Sequence, residues 1–133
     1  MTTQTTAPFQ AKTIMPTLTV DDLQASMKFF EGLGFSAGQR WEHEGKLLGA
    51  TMKGGDVEVG LSQDDWKAGR DRKKGLGLRF YISTAQNIDE LAATAKKNGV
   101  ALDKDAHDTE WGARAFNVTE PSGFKITIAS KLD

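Results

Sequence analysis

The pattern of apolar and polar residues predicts that the first half of the chain forms one helix and four strands. Thr13 to Val20 is rich in β-forming residues, and Val57 to Ser62 alternates apolar and polar side chains with the period of a strand. Two further strands are predicted at Ser36 to Glu42 and at Lys46 to Lys53, because turn residues that include glycine bound them. The order of elements is therefore β-α-β-β-β.

The helix of this half is predicted between Val20 and Phe35. Its apolar positions recur at helical spacing and are Leu23, Met27, Phe30 and Leu33. Asp21 or Asp22 can cap the first turn by accepting hydrogen bonds from free amides. Gly32 and Gly34 suit a C-terminal cap that needs a left-handed residue. The pattern thus predicts an amphipathic helix that covers a sheet.

The second half repeats this order of elements. Strands are predicted at Gly77 to Ile82, Val100 to Lys104, Ala113 to Val118 and Phe124 to Ala129. Apolar residues from Ile88 to Ala95 have helical spacing, with Asn87 as a cap and Gly99 as a stop. Gln63 to Lys74, between the halves, is highly charged and is interpreted as a linker whose charges are solvated.

The predicted fold class is α+β, with two βαβββ modules in one domain over residues 13–133. Residues 1–12 are expected to form a flexible lead-in, followed by module one (13–63), a linker (64–75) and module two (76–131). Hydrophobic residues make up 38% of the 133 residues, which is ordinary for a soluble globular domain.

Composition excludes several classes of function. The net charge of -1 gives no broad basic surface for nucleic acid or anionic lipid. No apolar run approaches the roughly 20 residues that span a membrane. The absence of cysteine excludes disulfides and thiolate catalysis, and the N-terminal residues lack the features of a secretory signal. We therefore expect a cytoplasmic protein without nucleic-acid or membrane partners.

Three stretches of the sequence resemble the glyoxalase/bleomycin-resistance/extradiol-dioxygenase (vicinal oxygen chelate) superfamily. The first-module signature is matched at Val20, Asp22, Leu23, Ser26, Phe29, Phe30, Leu33, Gly34 and Phe35, with Phe30 in place of the more usual Tyr. In the second module, Glu120-Pro121-Ser122-Gly123 resembles the Asp-Pro-Asp-Gly turn that precedes the last strand. Trp111-Gly112 and Phe116 resemble the Trp-Gly stretch of bleomycin-resistance-like members.

The resemblance implies that the modules form a curled mixed β-sheet cleft with helices outside, and that the protein is a homodimer. Enzymes of this superfamily hold a divalent metal through His, Gln and Glu on inner strands. The matching positions here are Met15, Gly77 and Thr127, which do not make a catalytic metal site. The fourth position is ambiguous, since Glu58, Gln63 or Gly60 could occupy it. We therefore expect neither a metal nor another cofactor.

The two histidines offer the remaining candidates for chemistry. His43 lies beside Glu44 in a predicted turn, and His107 lies close to Asp108 and Glu110 on a predicted loop. Solvated surface is the favoured interpretation of both groups, but a displaced metal site at either, or a general base at His107, stays open. No nucleophile elbow or phosphate-binding loop occurs in the chain.

The residues expected to bind a ligand are Trp111, Trp41, Met15, Thr17, Met52, Glu58, Arg79 and Thr127. The tryptophans can stack on flat or cationic ligands, and the other residues follow from their predicted strand positions. The first hypothesis is a metal-independent protein that sequesters a small molecule such as an antibiotic or an aromatic compound. The second is a metal-dependent lyase, isomerase or dioxygenase with atypical ligands such as Glu58, Gln63, His43 or His107. The third is a regulatory or interaction subunit.

Overall fold

The computed structural model describes residues 7–69 and 72–131. Module one contains β1 (Thr17–Val20), α1 (Leu23–Gly32), β2 (Ser36–His43), β3 (Lys46–Gly54) and β4 (Val57–Gln63). Module two contains β5 (Arg79–Ser83), α2 (Ile88–Lys97), β6 (Leu102–Asp108), β7 (Ala113–Thr119) and β8 (Lys125–Lys131). The two βαβββ modules predicted from the sequence are confirmed.

Each module forms one mixed sheet of four strands, with the orders β1-β4-β3-β2 and β5-β8-β7-β6. The first strand of each module runs parallel to the last strand, and the other neighbours are antiparallel. Neither sheet closes into a barrel, so each keeps one face against its helix and one face open. This is the curled, open-sheet architecture that the sequence predicts.

Helix α1 begins and ends where the local sequence predicts. The side chain of Asp22 caps the first turn by accepting a hydrogen bond from the Ala25 amide at 3.2 Å. The chain leaves the helix through Gly34, whose φ of 106° is unfavourable for other residues. Helix α2 is capped in the same way by Asn87, which accepts from the Glu90 amide at 3.0 Å.

One hydrophobic core joins the helix-covered faces of both sheets. Its residues in the strands include Leu18, Val20, Met52 and Leu61 in module one and Phe116, Val118, Ile126 and Ile128 in module two. The modules also meet at the end of α1, where a Cβ atom at Gly32 would lie 2.7 Å from Val100 Cγ2. The side chain of Asn98 donates to the Gly32 carbonyl at 3.1 Å. The modules therefore pack as one unit.

A buried carboxyl group strengthens this junction. Glu120, in the turn before β8, accepts a hydrogen bond from the Ser26 hydroxyl on α1 and another from the Ser122 amide, the latter at 2.6 Å. Burial raises the pKa of Glu120, and these two hydrogen bonds oppose that shift. Ser26 and Glu120, both parts of the predicted motifs, thus join helix and turn across the two modules.

The prediction that the charged linker is solvated is wrong at two residues. The side chains of Asp64 and Lys74 are 0% and 7% exposed, and Lys74 Nζ lies 2.8 Å from Asp64 Oδ2. Lys74 also lies 2.5 Å from Asp21 Oδ1, while Arg72 forms a second ion pair with Asp64. Hydrogen bonds from Arg72 and Lys74 hold the pKa of the Asp64 carboxyl well below its usual range. Buried charges are tolerated here because they are paired.

Several predicted strand boundaries are also corrected. Strand β6 extends to Asp108, so His107 lies on a strand and not on the predicted loop. Strands β1 and β5 begin at Thr17 and Arg79, so Met15 and Gly77 precede them. Of the predicted lead-in, residues 1–6 lie outside the described residues.

Candidate functional site

The open face of the second sheet carries a broad cleft. Residues of β5 alternate between the two faces, so that Phe80 and Ile82 pack on the core while Arg79 and Tyr81 lie on the open side. The cleft has a volume of about 690 Å³ at the end of this face, and Tyr81 and Trp111 are among the residues that line it. We call this site the second-sheet cleft.

Two aromatic side chains form one wall of the second-sheet cleft. The indole Nε1 of Trp111 donates a hydrogen bond to the Tyr81 hydroxyl at 2.9 Å, and the ring centroids are 6.3 Å apart. Trp111 is 66% exposed and Tyr81 is 49% exposed. The turn that carries Trp111 is itself ordered, because the Ala113 amide donates to Thr109 Oγ1 at 2.9 Å. The wall therefore offers apolar surface to solvent in a defined orientation.

Small residues form the floor beside this wall. Ala113, Ala115 and Ala129 make a separate buried apolar cluster on adjacent strands β7 and β8. Alanine side chains leave space above the sheet, and Ala113 and Ala129 line the cleft directly. A flat ligand can therefore approach the sheet closely next to Trp111.

A polar chain crosses the same face of the sheet. Arg79 Nη1 donates to Thr127 Oγ1 at 3.0 Å, and that hydroxyl donates to Asn117 Oδ1 at 3.0 Å. Thr127 is paired with both Tyr81 and Asn117 in the sheet, so the chain lies next to the aromatic wall. The guanidinium group is thereby held on the open face although its side chain is exposed.

The open face of the first sheet carries a smaller and more apolar cleft of about 250 Å³. Its lining includes Met15, Thr17, Trp41, Leu48, Gly49 and Gly60. Trp41 is the sheet partner of Gly49, and a Cβ atom on Gly49 would lie 3.0 Å from the indole ring. The tryptophan thus packs against a position that only glycine can occupy without displacement.

The structure separates the residues that were expected to bind one ligand. Met15, Thr17 and Trp41 meet on the first sheet, whereas Arg79, Trp111 and Thr127 lie on the second. Met52 lies in the core with 0% exposure and lines neither cleft. Glu58 is exposed beside Lys53 on the first sheet and is not part of its cleft.

Sequence reasoning missed Tyr81 and Asn117. The alternation Arg79-Phe80-Tyr81-Ile82 would have indicated Tyr81, since it shares the face of Arg79. No local signal identifies Asn117, because its role depends on its pairing with Thr127 across the sheet. The third tryptophan, Trp66, lies away from both clefts, with Lys74 Nζ 5.0 Å from its ring centroid.

The donor groups at the expected metal positions do not fit a divalent cation. Met15 offers a thioether and Gly77 has no side chain, and the Thr127 hydroxyl already accepts from the Arg79 guanidinium. Gln63, the possible fourth ligand, instead serves α1: its Oε1 accepts from the Leu23 amide at 2.9 Å and its Nε2 donates to the Asp21 carbonyl at 2.7 Å. The fold thus uses these groups for other contacts.

The histidines do not form a metal site either. His43 Nε2 lies 3.9 Å from Glu44, and both side chains are exposed. His107 Nδ1 lies 2.8 Å from the Asp105 carbonyl oxygen. Within residues 7–69 and 72–131, no group of three or more His, Cys, Asp or Glu side chains is arranged to hold a metal ion.

Solved structures from several bacteria share this fold. TioX from Micromonospora sp. ML1 superposes with a TM-score of 0.73 at 16% identity, covering 92% of this chain and 100% of that chain. A superfamily member from Sphaerobacter thermophilus DSM 20745 has a TM-score of 0.70 at 24% identity, covering 92% and 98%. A glyoxalase/bleomycin resistance protein/dioxygenase from Nocardioides has a TM-score of 0.72 at 18% identity, covering 96% and 87%. At these identities the likeness shows the fold alone.

No curated protein matches the chain. Neither helix in the described residues has the length and apolar character needed to cross a membrane. The sequence profile of the Glyoxalase/Bleomycin resistance protein/Dioxygenase superfamily matches residues 12–128, which is most of the chain. Together with the two βαβββ modules, this match shows that the chain belongs to the glyoxalase/bleomycin resistance protein/dioxygenase superfamily.

Proposed function

We propose that this protein binds a small molecule, such as an antibiotic or an aromatic compound, without a metal and acts by sequestering it. The observation that carries the proposal is the arrangement of side chains on the open face of the second sheet. Thr127, at a position where family enzymes place a metal ligand, is bonded to the Arg79 guanidinium, while Trp111 and Tyr81 present exposed rings beside it. A cation held at this position disfavours a second cation and leaves a surface suited to organic ligands.

The geometry of the second-sheet cleft supports this role. Binding sites for small molecules are concave and mostly apolar, with a few polar groups that orient the ligand. The hydrogen bond between Trp111 and Tyr81 holds both rings before a ligand arrives, which lowers the entropic cost of binding. The alanine floor supplies the space, and Arg79, two residues before Tyr81 on the same face of β5, supplies a polar group next to the cleft.

The proposal includes a homodimer located in the cytoplasm. Each cleft is lined by residues of a single module, so neither is closed by the other module of the same chain. A second copy placed across a two-fold axis can cover the open face of one sheet with the other sheet. Sedimentation velocity tests this part: a dimer is expected at micromolar concentration, and a monomer would contradict it.

A thermal-shift screen with antibiotics and aromatic compounds tests the binding function, because a ligand of the folded state raises the melting temperature. Each hit is titrated calorimetrically before and after dialysis against EDTA. We expect an unchanged Kd after chelation and at least a tenfold weaker Kd in Trp111→Ala. Phe9→Ala is the matched control, since Phe9 is an exposed aromatic residue outside both clefts. Binding that requires added metal, or that survives Trp111→Ala, would contradict the proposal.

A further inference from the structure

We propose that the open face of the second sheet selects planar aromatic anions, with the ring in the second-sheet cleft against Trp111 and Tyr81 and the anionic group on the Arg79 guanidinium, which lies on the same face of β5 just outside the lining of the cleft. This inference rests on the proposed small-molecule binding and specifies the charge of the ligand. It follows from the distribution of charge over the open face of the second sheet.

Cationic residues outnumber acidic ones on this face. Register places Arg79 beside Lys125, Lys104 beside Asn117, and Lys131 beside Ala113. Within residues 7–69 and 72–131, none of these four cations forms an ion pair. In the described part of the strands, Asp103 is the acid on this side of the sheet, and its carboxylate accepts a hydrogen bond from the Thr119 hydroxyl. The face therefore carries uncompensated positive charge.

The neighbouring acids are paired with other groups. Asp105 forms an ion pair with Lys96 of α2 at 2.6 Å, and Asp108 forms one with Arg114 at 3.0 Å. Arg114 also contacts Asp89 at the start of α2, so this pairing connects β6 and β7 to the helix. Among the residues that the structure describes, Glu110, next to Trp111 in the turn, is the remaining acid near the cleft. One exposed carboxylate and Asp103 do not balance four cations.

Arg79 is suited to an anionic group by its geometry. Its Nη1 is occupied by Thr127, which orients the guanidinium plane and leaves further N–H donors free. A guanidinium binds carboxylate more specifically than an ammonium does, because two parallel hydrogen bonds can form. Arg79 and Tyr81 are two residues apart on one strand, or about 6.6 Å along the sheet. A compact aromatic acid can span that separation.

Three naphthalene derivatives of similar shape provide the test. They are 2-naphthoate, 2-naphthalenemethanol and 2-naphthylmethylammonium, titrated calorimetrically into the full chain at low salt. We expect 2-naphthoate to bind about tenfold more tightly than the alcohol, since one charge-assisted hydrogen bond contributes on the order of that factor. The ammonium compound is expected to bind more weakly than the alcohol.

Variants then locate the origin of the preference. Arg79→Gln is expected to reduce binding of 2-naphthoate to the level of the alcohol and to leave the alcohol unchanged. Lys28→Gln is the matched control, because Lys28 lies exposed on α1 and its loss changes the net charge equally. Trp111→Ala is expected to weaken all three ligands.

The outcomes separate this inference from the proposed function. If all three compounds bind in a Trp111-dependent manner but the alcohol or the ammonium compound binds best, the charge preference is overturned and small-molecule binding stands. If the preference for 2-naphthoate is unchanged in Arg79→Gln, the assignment of Arg79 is overturned. If none of the compounds binds, both the inference and the proposed use of this cleft are contradicted.

Discussion

The open faces of the two sheets differ, although the same order of strands builds both. The first carries a small apolar cleft in which Trp41 lies against Gly49. The second carries a larger cleft with an aromatic wall and an alanine floor, and the oriented cation Arg79 lies on the same face outside the cleft lining. Residues that face the core are apolar in both modules, whereas the open-face residues are free to differ. Function can therefore change on this fold without changing the packing that holds it.

The largest effect is expected on the first sheet, where the backbone itself limits the space. A Cβ atom at Gly49 would lie 2.9 Å from the Leu61 carbonyl oxygen and 3.0 Å from the Trp41 ring. Gly49→Val should lower the free energy of unfolding by about 1–3 kcal/mol through overpacking, as measured by urea denaturation. Thr19→Val, an exposed change on β1, should stay within about 0.5 kcal/mol of the parent protein. Equal stability of the two variants would contradict the described packing.

A smaller effect is expected on the second sheet, where the wall depends on one hydrogen bond. Tyr81→Phe removes the acceptor of the Trp111 indole N–H and keeps the ring. Binding of an aromatic ligand should weaken about two- to tenfold, because one neutral hydrogen bond contributes about 0.5–1.5 kcal/mol. Calorimetric titration measures the change, and the melting temperature should move little. An unchanged Kd would show that Trp111 needs no orientation by Tyr81.

The smallest effect is expected at the contact between the two modules, where Ser26 of α1 donates a hydrogen bond to Glu120. Burial raises the pKa of Glu120 above the ordinary glutamic acid value of 4.5, so the folded state favours the protonated carboxyl. The cost of holding the charged form is absent below the unfolded pKa, grows as the pH rises and is complete above the folded pKa. The stability of the parent protein relative to Glu120→Gln should therefore fall as pH rises from about 4.5.

Urea denaturation at several pH values between 4.5 and 8 measures this difference. Asp64, whose pKa is lowered, is present in both proteins, so its effect cancels in the comparison. A stability difference that is constant with pH, or that favours the parent protein at higher pH, would contradict the assignment to Glu120.

Elements with local causes were predictable from the sequence. The caps at Asp22 and Asn87 act on amides three residues away, so the sequence pattern shows them directly. Strand alternation likewise separated buried from open positions in β4. Met52 was misplaced because β3 has apolar residues at successive positions, Leu47 and Leu48, and periodicity alone does not assign its faces.

Contacts between distant residues were not predictable in this way. Asp64 and Lys74 form an ion pair with buried side chains, whereas the polar composition of the linker predicted that both side chains are exposed to solvent. Ser26 and Glu120 are 94 positions apart, and their bond follows only from the packing of the two modules. The motif positions Met15, Gly77 and Thr127 predict a poor metal site from residue type alone, and this stays a prediction.

The most direct test of metal independence is the metal content of untagged protein after incubation with Zn, Mn, Fe and Ni salts and desalting. Mass spectrometry is expected to find well under one metal ion per chain, since the family positions lack suitable donors. Near one ion per chain, lost in Glu58→Gln or His107→Gln, would contradict the account and indicate a metal-dependent enzyme with atypical ligands.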